Sequence, residues 1–312
     1  RWHLTVRQEV GDDEADVIAR AKRALLERRA TRVPPGRDEK QLTSWNALAI
    51  RGLAIAGRAL GRPELVDAAV DAVDFLHNTM LRDGRLLASF KDGEAKFMAY
   101  LDDHAFLLDA LLELLQARWS ARHLAIAQQI AELMLQHFAD QENGGFWFTA
   151  DDHEQLIHRN KPFADEAVPS GNGIAALALQ RLGFLLGETR YLDAAEGTLR
   201  AAWRAMDEYP HGHVSLLAAL EEYVEHPEIV VIRGPQEEID RWRDSAAKVY
   251  APRRLVFAIP ADETGLPGAL ADRAPLADQA VAYRCLGTHC EMPVTTWEAL
   301  AAQLASSEAP QG

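Results

Sequence analysis

Tyr100-Leu101-Asp102-Asp103-His104-Ala105-Phe106-Leu107-Leu108-Asp109-Ala110-Leu111-Leu112-Glu113-Leu114-Leu115-Gln116 opens with a polar knot and continues as a long apolar helix. The arrangement occurs three more times. Leu42-Thr43-Ser44-Trp45-Asn46 precedes a helix predicted over 47–60, Pro169-Ser170-Gly171-Asn172 one over 173–186, and Pro210-His211-Gly212-His213 one over 214–225. A helix that is apolar almost all round is buried on most sides. The helices predicted between them, over 63–81, 122–138 and 191–209, carry charge on one face, as at Glu132, Arg200 and Arg204. Inner and outer helices in alternation describe a mainly α fold, an α/α toroid of hairpins with variable insertions. If the inner helices point the same way, the four knots converge at one mouth, where a small molecule could bind.

Two hairpins are expected beside the helices. Residues 85–100 alternate around Lys91-Asp92-Gly93, and Gly144-Gly145-Phe146-Trp147-Phe148-Thr149 is expected to pair with Gln155-Leu156-Ile157-His158-Arg159 across Asp151-Asp152-His153. After Pro227 the texture changes to strands over 228–233, 254–259 and 279–285, with helices over 236–249 and 296–304. The expected division is therefore a toroid domain over 1–226 and a small α/β subdomain over 227–312.

The 312 residues are 48% hydrophobic and 26% charged, with a formal net charge of −14. That acidity repels phosphate backbones and argues against nucleic acid. Arg20, Lys22, Arg23, Arg28, Arg29 and Arg32 read as the solvated face of a helix over 13–29. No apolar run reaches the roughly 18 residues of a membrane span. The chain opens on Arg1 without methionine or an apolar signal region, which suggests a fragment or a processed chain. Two cysteines, Cys285 and Cys290, fit a reducing, cytoplasmic setting and are expected as free thiols.

The candidate chemistry sits at the knots. Asp102, Asp103 and His104 combine neighbouring carboxylates with an imidazole, a set that can split pKa values and move protons. Capping of helix N–H groups by the aspartates is the plainer alternative. His211 and His213 offer another acid or base, or a simple turn before the last helix; a metal would need further ligands, and none is evident. Trp45 is either a stacking platform for a sugar ring or a core residue, and Asn46 a hydroxyl reader. Ser170 and Asn172 are hydroxyl readers or an N-cap with a tight turn. Arg159 and Lys161 hold an anionic group or form a surface ion-pair loop.

Several of these segments also carry a likeness. Asp38-Glu39-Lys40-Gln41-Leu42-Thr43-Ser44-Trp45-Asn46, Tyr100-Leu101-Asp102-Asp103-His104-Ala105-Phe106, Gly144-Gly145-Phe146-Trp147-Phe148-Thr149 and Pro169-Ser170-Gly171-Asn172 together resemble the YyaL-type, spermatogenesis-associated, thioredoxin-domain-containing family. Ala282-Tyr283-Arg284-Cys285, Cys290 and Pro293-Val294 are similar to that family's C-terminus, so the resemblance spans almost the whole chain. It implies a six-hairpin toroid like those of N-acylglucosamine 2-epimerase-type enzymes and several glycosidases, following a thioredoxin-like domain. The present sequence departs from that pattern. It has no Cys-x-x-Cys, no thioredoxin-like βαβ opening and no His-Phe-Glu-Lys-Met-Leu-Tyr-Asp-Asn stretch. About eight toroid helices can be counted where six closed hairpins need about twelve, so an incomplete ring is expected.

The leading expectation is a cofactor-free sugar epimerase or isomerase. His104 or His211 and His213 would be base and acid, Asp102 or Asp103 their partner, and Trp45 and Asn46 the platform. A non-catalytic module serving a thioredoxin-like partner and a glycoside hydrolase are the alternatives. A second copy of the chain is a further candidate partner.

Overall fold

A computed structural model describes residues 5, 11–154, 157–276 and 278–306. It comprises two units, Arg1–Glu39 and Lys40–Gly312. The first holds α1 (Asp12–Ala30), the expected basic helix, with Val17, Leu25 and Leu26 exposed alongside its arginines.

In the second unit the inner row consists of α2 (Thr43–Leu60), α4 (Leu101–Ala117), α6 (Gly171–Leu186) and α8 (Val214–Val224), each packed on the next. The helices α3 (Pro63–Phe75), α5 (Ala121–His137) and α7 (Thr189–Glu208) pack against α2, α4 and α6 respectively. Burial separates the two rows. Fifteen of the 17 residues of α4 are buried, against six of the 20 in α7. The fold is thus the mainly helical α/α-toroid type read from the apolar runs, present as three hairpins and the further inner helix α8. The inner helices α2, α4 and α6 start up to four residues earlier than the apolar periodicity predicts, because the knots themselves wind into the first turn. A single π turn, Leu76–Met80, extends α3.

The first predicted hairpin forms. The strands β1 (Gln41–Leu42) and β2 (Leu81–Arg82) flank β3 (Arg85–Lys91), which pairs antiparallel with β4 (Glu94–Met98). Its two-residue turn places Asp92 and Gly93 at φ 53° and 82°, as a primed turn demands. The second predicted hairpin does not form. Gly144 and Gly145 both take left-handed backbone, at φ 73° and 74°, which breaks any strand there. The segment is irregular instead, fixed by Trp147 N–H to Phe138 O and Phe148 N–H to Asn160 O, each 2.8 Å. Gln155 and Leu156 of that prediction lie outside the described residues.

At the C-terminal end, β5 (Glu228–Gly234) runs parallel to β6 (Arg254–Pro260) and antiparallel to β7 (Val281–Leu286), with β8 (His289–Cys290) at the edge. The side-chain period of two divides this sheet's faces. Ile229, Val231, Leu255 and Phe257 join the helical core. Val230, Ile232, Val256 and Ala258 pack with Ile239 and Trp242 of α9 (Gln236–Ala246) and Leu300 and Leu304 of α10 (Trp297–Ser306). The sheet is therefore a layer on the helical row, and Val256 N–H donates to Gln116 of α4.

The expectation of free thiols is overturned: Cys285 and Cys290 form a disulfide. A two-residue connection, Gly287-Thr288, sets Cys285 directly opposite Cys290 across β7 and β8. An Arg273 guanidinium N–H faces both sulfurs, at 3.3 and 3.1 Å. No helix among the described residues is long and apolar enough to cross a membrane.

Candidate functional site

The knots are joined neighbour to neighbour by carboxylates, the first to the second, the second to the third, and the third to the start of α8. Asp103 Oδ1 accepts from Ser44 N–H of α2 at 2.8 Å, and its Oδ2 accepts from Tyr100 N–H at 2.9 Å. Asp102 Oδ1 lies against the start of α6, so closely that a β-carbon on residue 171 would collide with it, and the Gly171 backbone pulls its pKa down. Asp165, in the loop before α6, accepts from Ser170 N–H at 2.8 Å and from Ser215 N–H of α8 at 2.9 Å, and also takes the Ser215 hydroxyl. Ser170 Oγ caps Gly173 N–H at 3.0 Å and lies 3.2 Å from Ser215 Oγ. Each of these aspartates thus satisfies orphan N–H groups on a neighbouring helix, where the helix dipole also favours negative charge.

The remaining knot residues are also engaged with the chain. In three knots the same device recurs: Asn46 Nδ2, His104 Nδ1 and His213 Nδ1 each bond the carbonyl four residues back, at 2.8 Å. A carbonyl only accepts, so Nδ1 carries the proton in both histidines. Burial, opposed by that hydrogen bond, pushes the His104 pKa down to about 4, so the ring is neutral at pH 7. Its Nε2 is then a lone pair, buried and unpartnered among the described residues, with the ring against Phe138. Trp45 is 65% exposed and His211 is exposed. Asn172 is fully buried and clamps the irregular segment, accepting from Phe146 N–H and donating to Phe146 O and Pro162 O. Lys161 pairs with Asp140 at 2.5 Å and Arg159 bonds Thr149 O at 2.5 Å, both cations lying over Trp147.

Both knot aspartates are poised unusually. Burial pushes Asp102 and Asp103 each up to about 6, against backbone N–H donors that pull them down. A folded pKa above the unfolded value of 3.8 means these carboxyls favour the folded state at low pH. That contribution is lost as pH rises through about 6. His104 acts oppositely: with its pKa lowered, its contribution is lost as pH falls below its unfolded value of 6.5. Asp102→Asn should therefore gain stability relative to the parent as pH rises from 4 to 7, by about 2 kcal/mol. Urea titrations at several pH values measure this, and a flat difference would show an ordinary carboxyl.

A second cluster was missed by the sequence reading. One stripe of charge runs along the inner row. Arg181 of α6 is buried and bonds Glu222 of α8 through Nε and Nη2, the latter at 2.6 Å, and reaches Glu113 of α4 at 3.4 Å. Arg51 bonds Asp109 at 2.6 Å and Arg58 bonds Glu113 at 3.1 Å, tying α2 to α4. Burial works against charge on Arg181, yet Glu222, Asp109 and Glu113 hold its pKa above the usual value. The available signal was the few charged residues inside otherwise apolar inner helices, Arg51 and Arg58, Asp109 and Glu113, Arg181, and Glu222, since a buried charge must be paired.

This stripe opens onto a cavity of about 470 Å³, lined by Arg51, Arg58, Glu113, Arg181 and Glu222 and walled by residues 246–256. Glu113 stands nine residues beyond His104 on α4, or about 14 Å along the axis. The knots and the cavity are therefore separate places, and the knot residues reach each other rather than this hollow. At another surface, His137, Asp151 and Asp152 bring ligand atoms within 4.8 Å of one another. They are already engaged, His137 with Asp151 and Asp152 with Arg85.

No protein-family model matches the chain. Human spermatogenesis-associated protein 20 is 28% identical over 289 residues, covering 87% of this chain and 37% of that protein. The rat counterpart is 27% identical with 87% and 36% coverage, and an uncharacterised Caenorhabditis elegans protein 25% identical with 89% and 39%. The likeness drawn from the motifs stands, and the chain spans a little over a third of those relatives' length. Among solved structures, the GH76 α-mannanase BT2949 of Bacteroides thetaiotaomicron has a TM-score of 0.47 at 13% identity, covering 62% of this chain and 54% of its own. The cellobiose 2-epimerase of Spirochaeta thermophila has a TM-score of 0.43 at 17% identity, with coverages of 62% and 55%.

Proposed function

We propose that this chain supplies the binding cavity of a carbohydrate-active protein of sugar epimerase or isomerase type. The observation that carries the reading is the Arg51–Arg58–Glu113–Arg181–Glu222 stripe opening on the 470 Å³ cavity. Sugar hydroxyls need dense, fixed donors and acceptors, which interleaved guanidiniums and carboxylates provide. Epimerisation requires a base to take a proton beside the carbonyl of an open-chain sugar and return it on the other face. Glu113 is placed for that role between Arg58 and Arg181, whose charges would stabilise the enediolate oxygen. Glycoside hydrolysis is less well supported. It needs two carboxyls on opposite sides of a bond, whereas Glu113 and Glu222 rest on one guanidinium.

A panel of aldoses and ketoses followed by proton NMR in D₂O tests this. Exchange of deuterium into the carbon beside the carbonyl is expected, with Glu113→Gln lowering it by about 10³-fold or more. The knot residues receive their own trial in His104→Gln. Loss of turnover in that variant with Glu113→Gln unimpaired would move the chemistry to Asp102, Asp103 and His104.

The second reading is a non-catalytic module serving a partner such as a thioredoxin-like domain. The specific observation in its favour is that Asp102, Asp103, Asp165 and Ser170 are used to hold helix starts together. Absence of deuterium exchange with every sugar, alongside intact folding, would favour it.

A further inference from the structure

A second cavity, of about 730 Å³, lies between the α2–α3 connection, Trp119 and α9. It shares Arg58 and Arg243 with the first, so the two hollows meet at a pair of guanidiniums. Together they are lined by eight basic and five acidic side chains, in a chain whose net charge is −14. The basic surplus is therefore local and runs against the charge of the whole molecule.

The two arginines are not equally occupied. Arg243 is held by Asp240 through Nη1 at 2.6 Å and by Asp244 through Nε and Nη2 at 3.0 and 2.8 Å. Arg58 makes one hydrogen bond among the described residues, to Glu113, and leaves its other N–H donors toward the cavities it lines. Burial depresses its pKa, Glu113 opposes that, and the Arg243 and Arg181 charges add to the depression. Trp119 also lines the larger cavity, and its indole N–H is buried without a partner among the described residues.

The geometry points to the Arg58–Arg243 junction as a binding site for an oxyanion, carried by the sugar of the reading above as a carboxylate or a phosphate. Arg58 supplies a bidentate fork, Trp119 a single N–H, and the neighbouring stripe of Glu113, Arg181 and Glu222 takes the hydroxyls of the same ligand. This extends the proposed function by naming its substrate class, an acidic sugar, and rests on that reading for the hydroxyl half only.

Isothermal titration of the 312-residue chain with glucose, glucuronate, glucose 6-phosphate and inorganic phosphate tests it. An acidic sugar is expected to bind at least about tenfold more tightly than glucose, with the advantage shrinking as salt rises. The glucuronate and glucose 6-phosphate arms decide between carboxylate and phosphate. Arg58→Lys keeps the charge and loses the fork, and Trp119→Phe keeps the ring and loses the donor. Arg58→Lys is expected to weaken the acidic sugar at least about tenfold more than it weakens glucose, and Trp119→Phe to weaken the acidic sugar about tenfold or more while leaving glucose binding and the melting temperature unchanged. Glucose binding as tightly as either acidic sugar, or Arg58→Lys binding them undiminished, overturns the oxyanion site while leaving the sugar reading intact. Binding of inorganic phosphate that Arg58→Lys abolishes, with no sugar bound, upholds the site and removes the sugar.

Discussion

Arg181→Ala is expected to cost about 3–5 kcal/mol of folding stability, the usual penalty for breaking a buried ion pair from one side. The guanidinium sits between α4 and α8 and is the shared partner of Glu222 and Glu113, with Asp109 Oδ1 at 3.8 Å. Without it those carboxylates lose a counter-charge while remaining largely buried. The penalty belongs to the orphaned charges rather than to the pair itself. Arg181→Met combined with Glu222→Leu should therefore recover at least half of the loss, because a well-packed apolar pair replaces a desolvated ionic one. Urea unfolding of the two variants measures the contrast. A single-variant loss below about 1 kcal/mol would mean that water reaches the cluster.

Asp103→Ala ranks next, at about 2–4 kcal/mol, since two backbone donors on two helices lose their acceptor together. The two oxygens divide the work, Oδ1 toward Ser44 and Oδ2 toward Tyr100. Asn at 103 keeps one carbonyl oxygen and turns an NH₂ toward the other donor. Asp103→Asn should thus recover little of the loss. Amide hydrogen exchange separates local from global effects: protection at Ser44 and Tyr100 should fall in both variants, while that within α6 should follow only the global change. Unchanged exchange at both amides would rule out the bridging role.

The inner row was legible because Leu, Ala and Ile fill the runs behind each knot almost without interruption, and only burial on most sides accommodates such helices. The β3–β4 hairpin was legible because Asp92-Gly93 is chemistry that a primed turn requires. Three things were not. The partners of Arg181 and Glu222 emerge only when α6 is set between α4 and α8, a relation that no single helix encodes. The aspartates at 102 and 103 carry the same residue types whether they cap or catalyse; only the positions of Ser44 and Gly171 N–H distinguish the two. The cysteines, five apart, became a pair once Gly287-Thr288 closed a two-residue connection that sets them opposite one another. The segment from Gly144 to Thr149 misled because its aromatics have strand propensity, while two successive left-handed glycines decide the backbone.

The carboxylate bridges between helix starts also bear on how such a protein can be rebuilt. A hairpin lifted out of this row and placed elsewhere would arrive with some of its own amides bare, because the groups that quiet them belong to a neighbouring segment of chain. Shuffling, duplication or truncation by whole hairpins would therefore fail at the seams unless Asp102, Asp103 and Asp165 travelled with their recipients. Cuts between the outer helices and the knots that follow them sever the most, and an insertion at an exposed turn such as Asp92-Gly93 severs none of these bridges.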